Sequence, residues 1–125
     1  MIRVLICDDD DLIGEALHEV LSAEPDLEVV AVARTAGEAA ELAGKHAPDV
    51  VVLDVRMPGG GIQVARALRE RHPRTRVMGF SAYADPATIA EMRRAGVAEY
   101  LVKGVSNREI VEAVRRLGRA PTGKL

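Results

Sequence analysis

Val50-Val51-Val52-Leu53 places four branched apolar residues in a row. Alternate side chains of a strand point to opposite faces, so a strand of this composition needs apolar cover on both. The chain supplies that cover by alternation. Five β-rich runs recur: Ile2–Cys7, Leu27–Ala33, Val50–Leu53, Arg76–Phe80 and Glu99–Val102. Each is followed by a segment with helical periodicity or helix boundary signals. The first repeats Leu12, Ile13, Ala16, Leu17, Val20 and Leu21 at helical spacing. Strands that alternate with helices build a parallel sheet covered on both faces. The expected fold class is therefore α/β: a flavodoxin-like, doubly wound (βα)5 unit with a five-stranded parallel sheet in order 2-1-3-4-5.

Local signals set the helix limits. Asp10 or Asp11 caps the first helix, and Glu24-Pro25-Asp26 breaks it. Thr35 to Glu38 has capping-box spacing and opens the second helix, which Gly44 and Pro48 are expected to end. The third helix starts after Gly59-Gly60-Gly61 and stops at His72-Pro73. Asp85-Pro86 opens the fourth and Gly96 closes it. Ser106 to Glu109 is a second capping box, opening the fifth. Residues 1–118 form the expected domain, and 119–125 a tail or the start of a linker, with Gly118 already in the frayed end.

Composition narrows the function. A length of 125 residues suits one domain, and 48% hydrophobic with 29% charged residues suits a soluble globular chain. The net charge of −2 gives no electrostatic case for nucleic-acid binding by this domain. Cys7 is the lone cysteine, read as a small buried hydrophobe. No apolar run approaches membrane-spanning length, so no membrane contact is expected and a cytoplasmic location is the default. His18, His46 and His72 share no spacing that suits a metal and read as solvated.

The carboxyl edge of such a sheet is where ligands bind. The first strand delivers Asp8 and Asp9 there, the third Asp54, the fourth Ser81 and the fifth Lys103. Any one of these is unremarkable as a loop or cap residue; their joint placement is not. Close carboxylates raise each other's pKa unless a cation lies among them. Hard oxygen donors suit Mg²⁺, so Asp9 and Asp54, helped by Asp8, read as a small divalent site. A carboxylate can attack phosphorus, an ammonium can pair with a phosphoryl oxygen, and a hydroxyl can donate to another. The set reads as a phosphoryl-acceptor site.

Four motifs carry a resemblance: Cys7-Asp8-Asp9, Leu53 to Gly59, Phe80-Ser81-Ala82-Tyr83 and Tyr100 to Gly104. Together they resemble the receiver domains of bacterial two-component response regulators, over residues 1–118, and within them the NarL/FixJ type. The resemblance implies that Asp54 is the phosphoacceptor. Asp8 and Asp9 match the acidic metal pair, and the main-chain carbonyl of Arg56 the third protein ligand to Mg²⁺. Ser81 matches the switch hydroxyl, Lys103 the phosphate-binding lysine and Tyr100 the aromatic switch residue. It implies a sensor histidine kinase as partner and a phosphorylation-driven change of the face made by the fourth helix, fifth strand and fifth helix, through which a homodimer could form. Many such proteins regulate transcription through a separate helix-turn-helix output domain, so the chain is expected to be either a stand-alone receiver or the receiver part of a longer protein.

Arg56 and Tyr83 flank the acceptor and the switch serine. They are expected to shield the acyl phosphate from water and so set its lifetime. The glycine loop after Pro58 is one residue shorter than is usual in the family, and three glycines suggest flexibility. Three other readings fit less well, and the first, a dinucleotide-binding fold, lacks the glycine fingerprint after the first strand. A haloacid-dehalogenase-like phosphohydrolase needs a second Asp where Arg56 stands, so the chain reads as a switch and not as an enzyme. A degenerate, unphosphorylated receiver is disfavoured because every expected site residue is present.

Overall fold

The computed structural model describes residues 1–120. The elements are β1 (Ile2–Cys7), α1 (Asp11–Ser22), β2 (Leu27–Ala33), α2 (Ala36–His46), β3 (Val50–Leu53), α3 (Gly61–Arg71), β4 (Arg76–Ser81), α4 (Pro86–Arg94), β5 (Glu99–Val102) and α5 (Asn107–Arg119). The strands form one sheet in the order β2-β1-β3-β4-β5, with every neighbouring pair parallel. This is the flavodoxin-like order expected from the alternation.

The two-faced reading of β3 is borne out by the core. Val51 and Leu53 face a cluster with Leu5, Cys7, Val64, Leu68 and Met92. Val50 and Val52 face the other side, among Ile6, Leu17, Leu21, Val114 and Leu117. All four β3 side chains are buried. Each such side chain stabilises the fold by about 1.5–3 kcal/mol relative to exposure. Cys7 is buried as expected; desolvation, then the neighbouring Asp8 charge, pushes its thiol pKa far up.

Caps follow the sequence signals. Asp10 accepts from the Leu12 and Ile13 N–H groups, Thr35 from Glu38, Asp85 from Thr88 and Ser106 from Glu109. Three details differ from the expectation. Gly44 lies within α2, and Ala47 takes the left-handed position that ends it (φ 45°). Pro48 supplies the reason, because proline keeps the preceding residue out of the right-handed helical region. At the other end of the chain, α5 continues through Gly118 to Arg119. A Cβ at Gly118 would stand 2.6 Å from Ile2, so the glycine is a close-packing residue and not a fraying point. Residues 121–125 of the expected tail lie outside the described residues.

The third correction concerns the glycine loop. It is tightly held. Gly59 and Gly60 adopt φ values of 91° and 93°, which side chains rarely tolerate. A Cβ on Gly61 would come within 2.6 Å of the Asp54 carbonyl oxygen. The Pro58 carbonyl accepts from the Ala36 N–H at 2.9 Å, and the Gly60 N–H donates to Met57. The glycines let a short loop fold back directly beneath Asp54.

Candidate functional site

Backbone bonds that extend the sheet by one residue fix three of the site positions. The Asp8 N–H donates to the Ala33 carbonyl, that of Asp54 to Cys7 and that of Lys103 to Ser81, each at 2.9 Å. Each residue is therefore the first beyond its strand and is pinned to the neighbouring one. Cys7 pairs with Leu53 in the ladder, which sets Asp8 beside Asp54 across the β1–β3 junction.

Asp8, Asp9 and Asp54 each offer a carboxylate oxygen within 4.8 Å of the others. Asp8 and Asp54 are 2% and 6% exposed, whereas Asp9 is open to solvent. The Lys103 ammonium lies 2.9 Å from Asp8 and 3.5 Å from Asp54. Burial raises the Asp8 pKa, partly offset by the Asp10 N–H and by Lys103. Desolvation pulls Lys103 down, but its bond to Asp8 and the charges of Asp54 and Asp8 outweigh this and leave its pKa raised. One ammonium thus contacts two carboxylates of a cluster of three. This donor set of hard oxygens, two of them desolvated and short of one positive partner, fits a small divalent cation.

Ser81 is fully buried at the end of β4, and its hydroxyl oxygen accepts from the Tyr83 N–H at 3.3 Å. No hydrogen bond joins it to Asp54 among the described residues. Tyr100, paired with Gly79 across β4–β5, packs its ring over that glycine: a Cβ there would lie 2.5 Å from the ring. Its hydroxyl donates to the Tyr83 carbonyl. Tyr100 thus occupies an inward position, and the bare backbone at Gly79 gives the ring room. Arg56 receives its place from both ends. Its N–H donates to Asp54 at 3.2 Å, and its guanidinium stacks 3.9 Å from the centre of the Tyr83 ring. Arg56 and Tyr83, expected to flank the acceptor, are therefore in direct contact.

Two contributors escaped the sequence reading. Gly79 is the seat of Tyr100, and an isolated glycine inside a strand is the sequence signal for such close approach. Arg115 is the other: it bonds Glu24 at 2.6 Å and Asp26 at 2.8 and 2.9 Å, joined by Arg119 on Asp26, and ties α5 to the α1–β2 turn. Partners 89 and 91 residues away leave no local trace.

The response regulator receiver domain family matches residues 4–115. The chain belongs to this family. Among relatives of this receiver, transcriptional regulatory protein LnrK of Bacillus subtilis is 36% identical over 115 residues, covering 91% of the chain and 52% of that protein. The DNA-binding transcriptional activator DevR/DosR of Mycobacterium tuberculosis is 34% identical over 119 residues, covering 94% and 55%. The chain thus spans about half the length of these relatives. Among solved structures, the signal receiver domain of NarL from Mycobacterium tuberculosis superposes with a TM-score of 0.92 at 38% identity, covering 96% of this chain and 98% of that one. The response regulator domain of Thermotoga maritima CheB gives 0.88 at 28% identity, covering 97% and 98%. The receiver is related to transcriptional regulators of the NarL-like kind, as the motifs implied. Among its described residues, no helix is long and apolar enough to cross a membrane.

Proposed function

We propose that this receiver is the phosphoacceptor module of a cytoplasmic two-component transcriptional regulator, with Asp54 as the acceptor and a sensor histidine kinase as donor. The observation that carries the reading is the Lys103 ammonium reaching both Asp8 and Asp54 within a three-carboxylate cluster. An Asp54 oxygen attacks phosphorus, and the phosphorus–nitrogen bond of the donor phosphohistidine breaks, its electron pair staying on the imidazole. The nearly buried Asp54 is held in place by its backbone bond to Cys7, so the nucleophile meets the donor in one orientation. Lys103 turns to a phosphoryl oxygen, and the Ser81 hydroxyl leaves the Tyr83 N–H to donate to another. Asp8, Asp9, Asp54 and the Arg56 carbonyl would hold Mg²⁺, which when bound supplies charge neutralisation for the transferring group. Tyr100 is fixed inward as Ser81 moves, and the face of α4, β5 and α5 becomes the output, offered to an output domain or to a second copy. Arg56 stacked on Tyr83 covers the acyl phosphate and slows its hydrolysis. On this reading the five strands and five helices, through Arg119, form the signalling unit, and the greater length of its relatives points to a separate output domain.

Beryllofluoride, a phosphoryl mimic, tests the site without a kinase. With Mg²⁺ present, NMR titration is expected to shift the amides of Asp54, Ser81, Tyr83 and Lys103 together, and Asp54→Ala to abolish the shifts. Equal shifts in Asp54→Ala, or none in wild type, would contradict the assignment.

A further inference from the structure

Tyr83 has an unusual attachment. Residues 82–84 are exposed and lie between β4 and α4. Both backbone polar groups of Tyr83 are nonetheless engaged, and by the two switch side chains. Its N–H donates to the Ser81 hydroxyl oxygen, and its carbonyl accepts from the Tyr100 hydroxyl. Among the described residues, Ala82 and Ala84 add no loop hydrogen bond of their own. Tyr83, 45% exposed, meanwhile supports on its ring the Arg56 guanidinium, whose own backbone holds Asp54. A continuous chain of contacts therefore runs from Tyr100 on the output face, through the Tyr83 backbone, to the Arg56 cover beside Asp54.

We infer that Tyr100 is a positioning residue for phosphoryl lifetime: its hydroxyl holds the Tyr83–Arg56 cover closed, so the state of the output face sets how fast the acyl phosphate is lost. This rests on the proposed role of Asp54 as phosphoacceptor. Hydrolysis needs water at phosphorus. The water oxygen bonds to phosphorus, the Asp54 oxygen–phosphorus bond breaks with its electron pair returning to the carboxylate, and the water proton leaves with inorganic phosphate. Signalling itself draws the Ser81 hydroxyl towards the phosphoryl group, which takes away the acceptor of the Tyr83 N–H. In the phosphorylated state the Tyr100 bond is then the remaining tie on the Tyr83 backbone. When Tyr100 swings out, the loop is released, the cation–π stack loosens and water enters. A partner that keeps Tyr100 inward prolongs the signal, and one that pulls it outward ends it. Coupling of this kind acts in both directions.

The test is the acyl-phosphate half-life after acetyl phosphate and Mg²⁺ are removed, read by intact mass in four proteins: wild type, Tyr100→Phe, Tyr83→Ala and the double variant. Tyr100→Phe keeps the ring on Gly79 and deletes only the donor. Its half-life is expected to fall on the order of fivefold, the worth of one hydrogen bond. Tyr83→Ala is expected to shorten it also, because it removes the ring under Arg56 and leaves the backbone. In the Tyr83→Ala background, adding Tyr100→Phe is expected to change nothing further, a non-additivity that general loosening of the fold does not produce. A wild-type half-life in Tyr100→Phe, with Tyr83→Ala shortened, overturns the coupling while leaving the shield intact. Additive losses in the double variant also overturn it. An unchanged half-life in Tyr83→Ala overturns the shield and the coupling together, and failure of wild type to take up phosphate at all overturns the acceptor role on which both rest.

Discussion

Replacing Gly79 with alanine tests how Tyr100 is held. The new Cβ would stand 2.5 Å from Cδ2 and 2.9 Å from Cε2 of the ring. Carbon atoms in contact prefer about 3.5–4.0 Å, so the ring overlaps by roughly 1 Å. Overpacking of this size costs about 1–3 kcal/mol if the ring stays. If it leaves, the hydroxyl loses its bond to Tyr83, worth about 1 kcal/mol. It also loses part of its burial, which is less than the ~1.5–3 kcal/mol of a fully buried side chain because Tyr100 is already partly exposed. The clash thus cancels most of what keeps Tyr100 inward. A shift of about 1–3 kcal/mol changes the ratio of inward to outward rings by roughly 5–150-fold. The receiver has two tyrosines, so ring-labelled tyrosine gives two NMR signals, one from Tyr83 and one from Tyr100. In Gly79→Ala the Tyr100 signal is expected to move towards a solvent-exposed position or split in two, and beryllofluoride to bind more weakly. An unmoved single Tyr100 signal, with unchanged thermal stability, would refute the steric argument.

Other consequences are open to simple measurement. Burial raises the Asp8 pKa, so this carboxylate favours folding when protonated and opposes it as pH rises through its folded-state value. Asp8→Asn is therefore expected to melt higher than wild type at neutral pH without divalent cation, and to lose the Mg²⁺ response. Mg²⁺ is expected to stabilise wild type by about 2.7 kcal/mol at a hundred times its Kd, read as a rise in Tm that chelator reverses. The Asp26 carboxyl has the opposite sign. Its hydrogen bonds with Arg115 lower its pKa from 3.8 to about 2, so its stabilisation is complete above the ordinary value and lost as pH falls through the lower one. Asp26→Asn is expected to flatten the dependence of Tm on pH between those values relative to wild type.

The sequence made the sheet legible because its strands are short, apolar and separated by capped helices. It made the site legible because four strands each end on a polar residue at one edge. What stayed hidden depended on distance in space. Nothing local to Arg115 foretells that it reaches Asp26, and nothing near Tyr83 shows that its carbonyl accepts from Tyr100. The three glycines after Pro58 were misread as flexible because the same residue type serves slack chain and crowded turns; only the proximity of Ala36 and of the Asp54 carbonyl separates the two. Ala47 likewise took the left-handed cap through the constraint of Pro48, where a nearby glycine offered the cheaper conformation. The inward Tyr100 could have been foreseen from Gly79, an interior-strand glycine opposite an aromatic.

The central claim is that Asp54 carries the phosphoryl group. Incubation with acetyl phosphate and Mg²⁺, acid quench and peptide mass mapping tests it most directly. The expected result is one phosphoryl group per chain, on the peptide containing Asp54, absent in Asp54→Ala and strongly reduced in Lys103→Ala. Labelling at another residue, persistence of label in Asp54→Ala, or an unmodified wild-type protein would contradict the account.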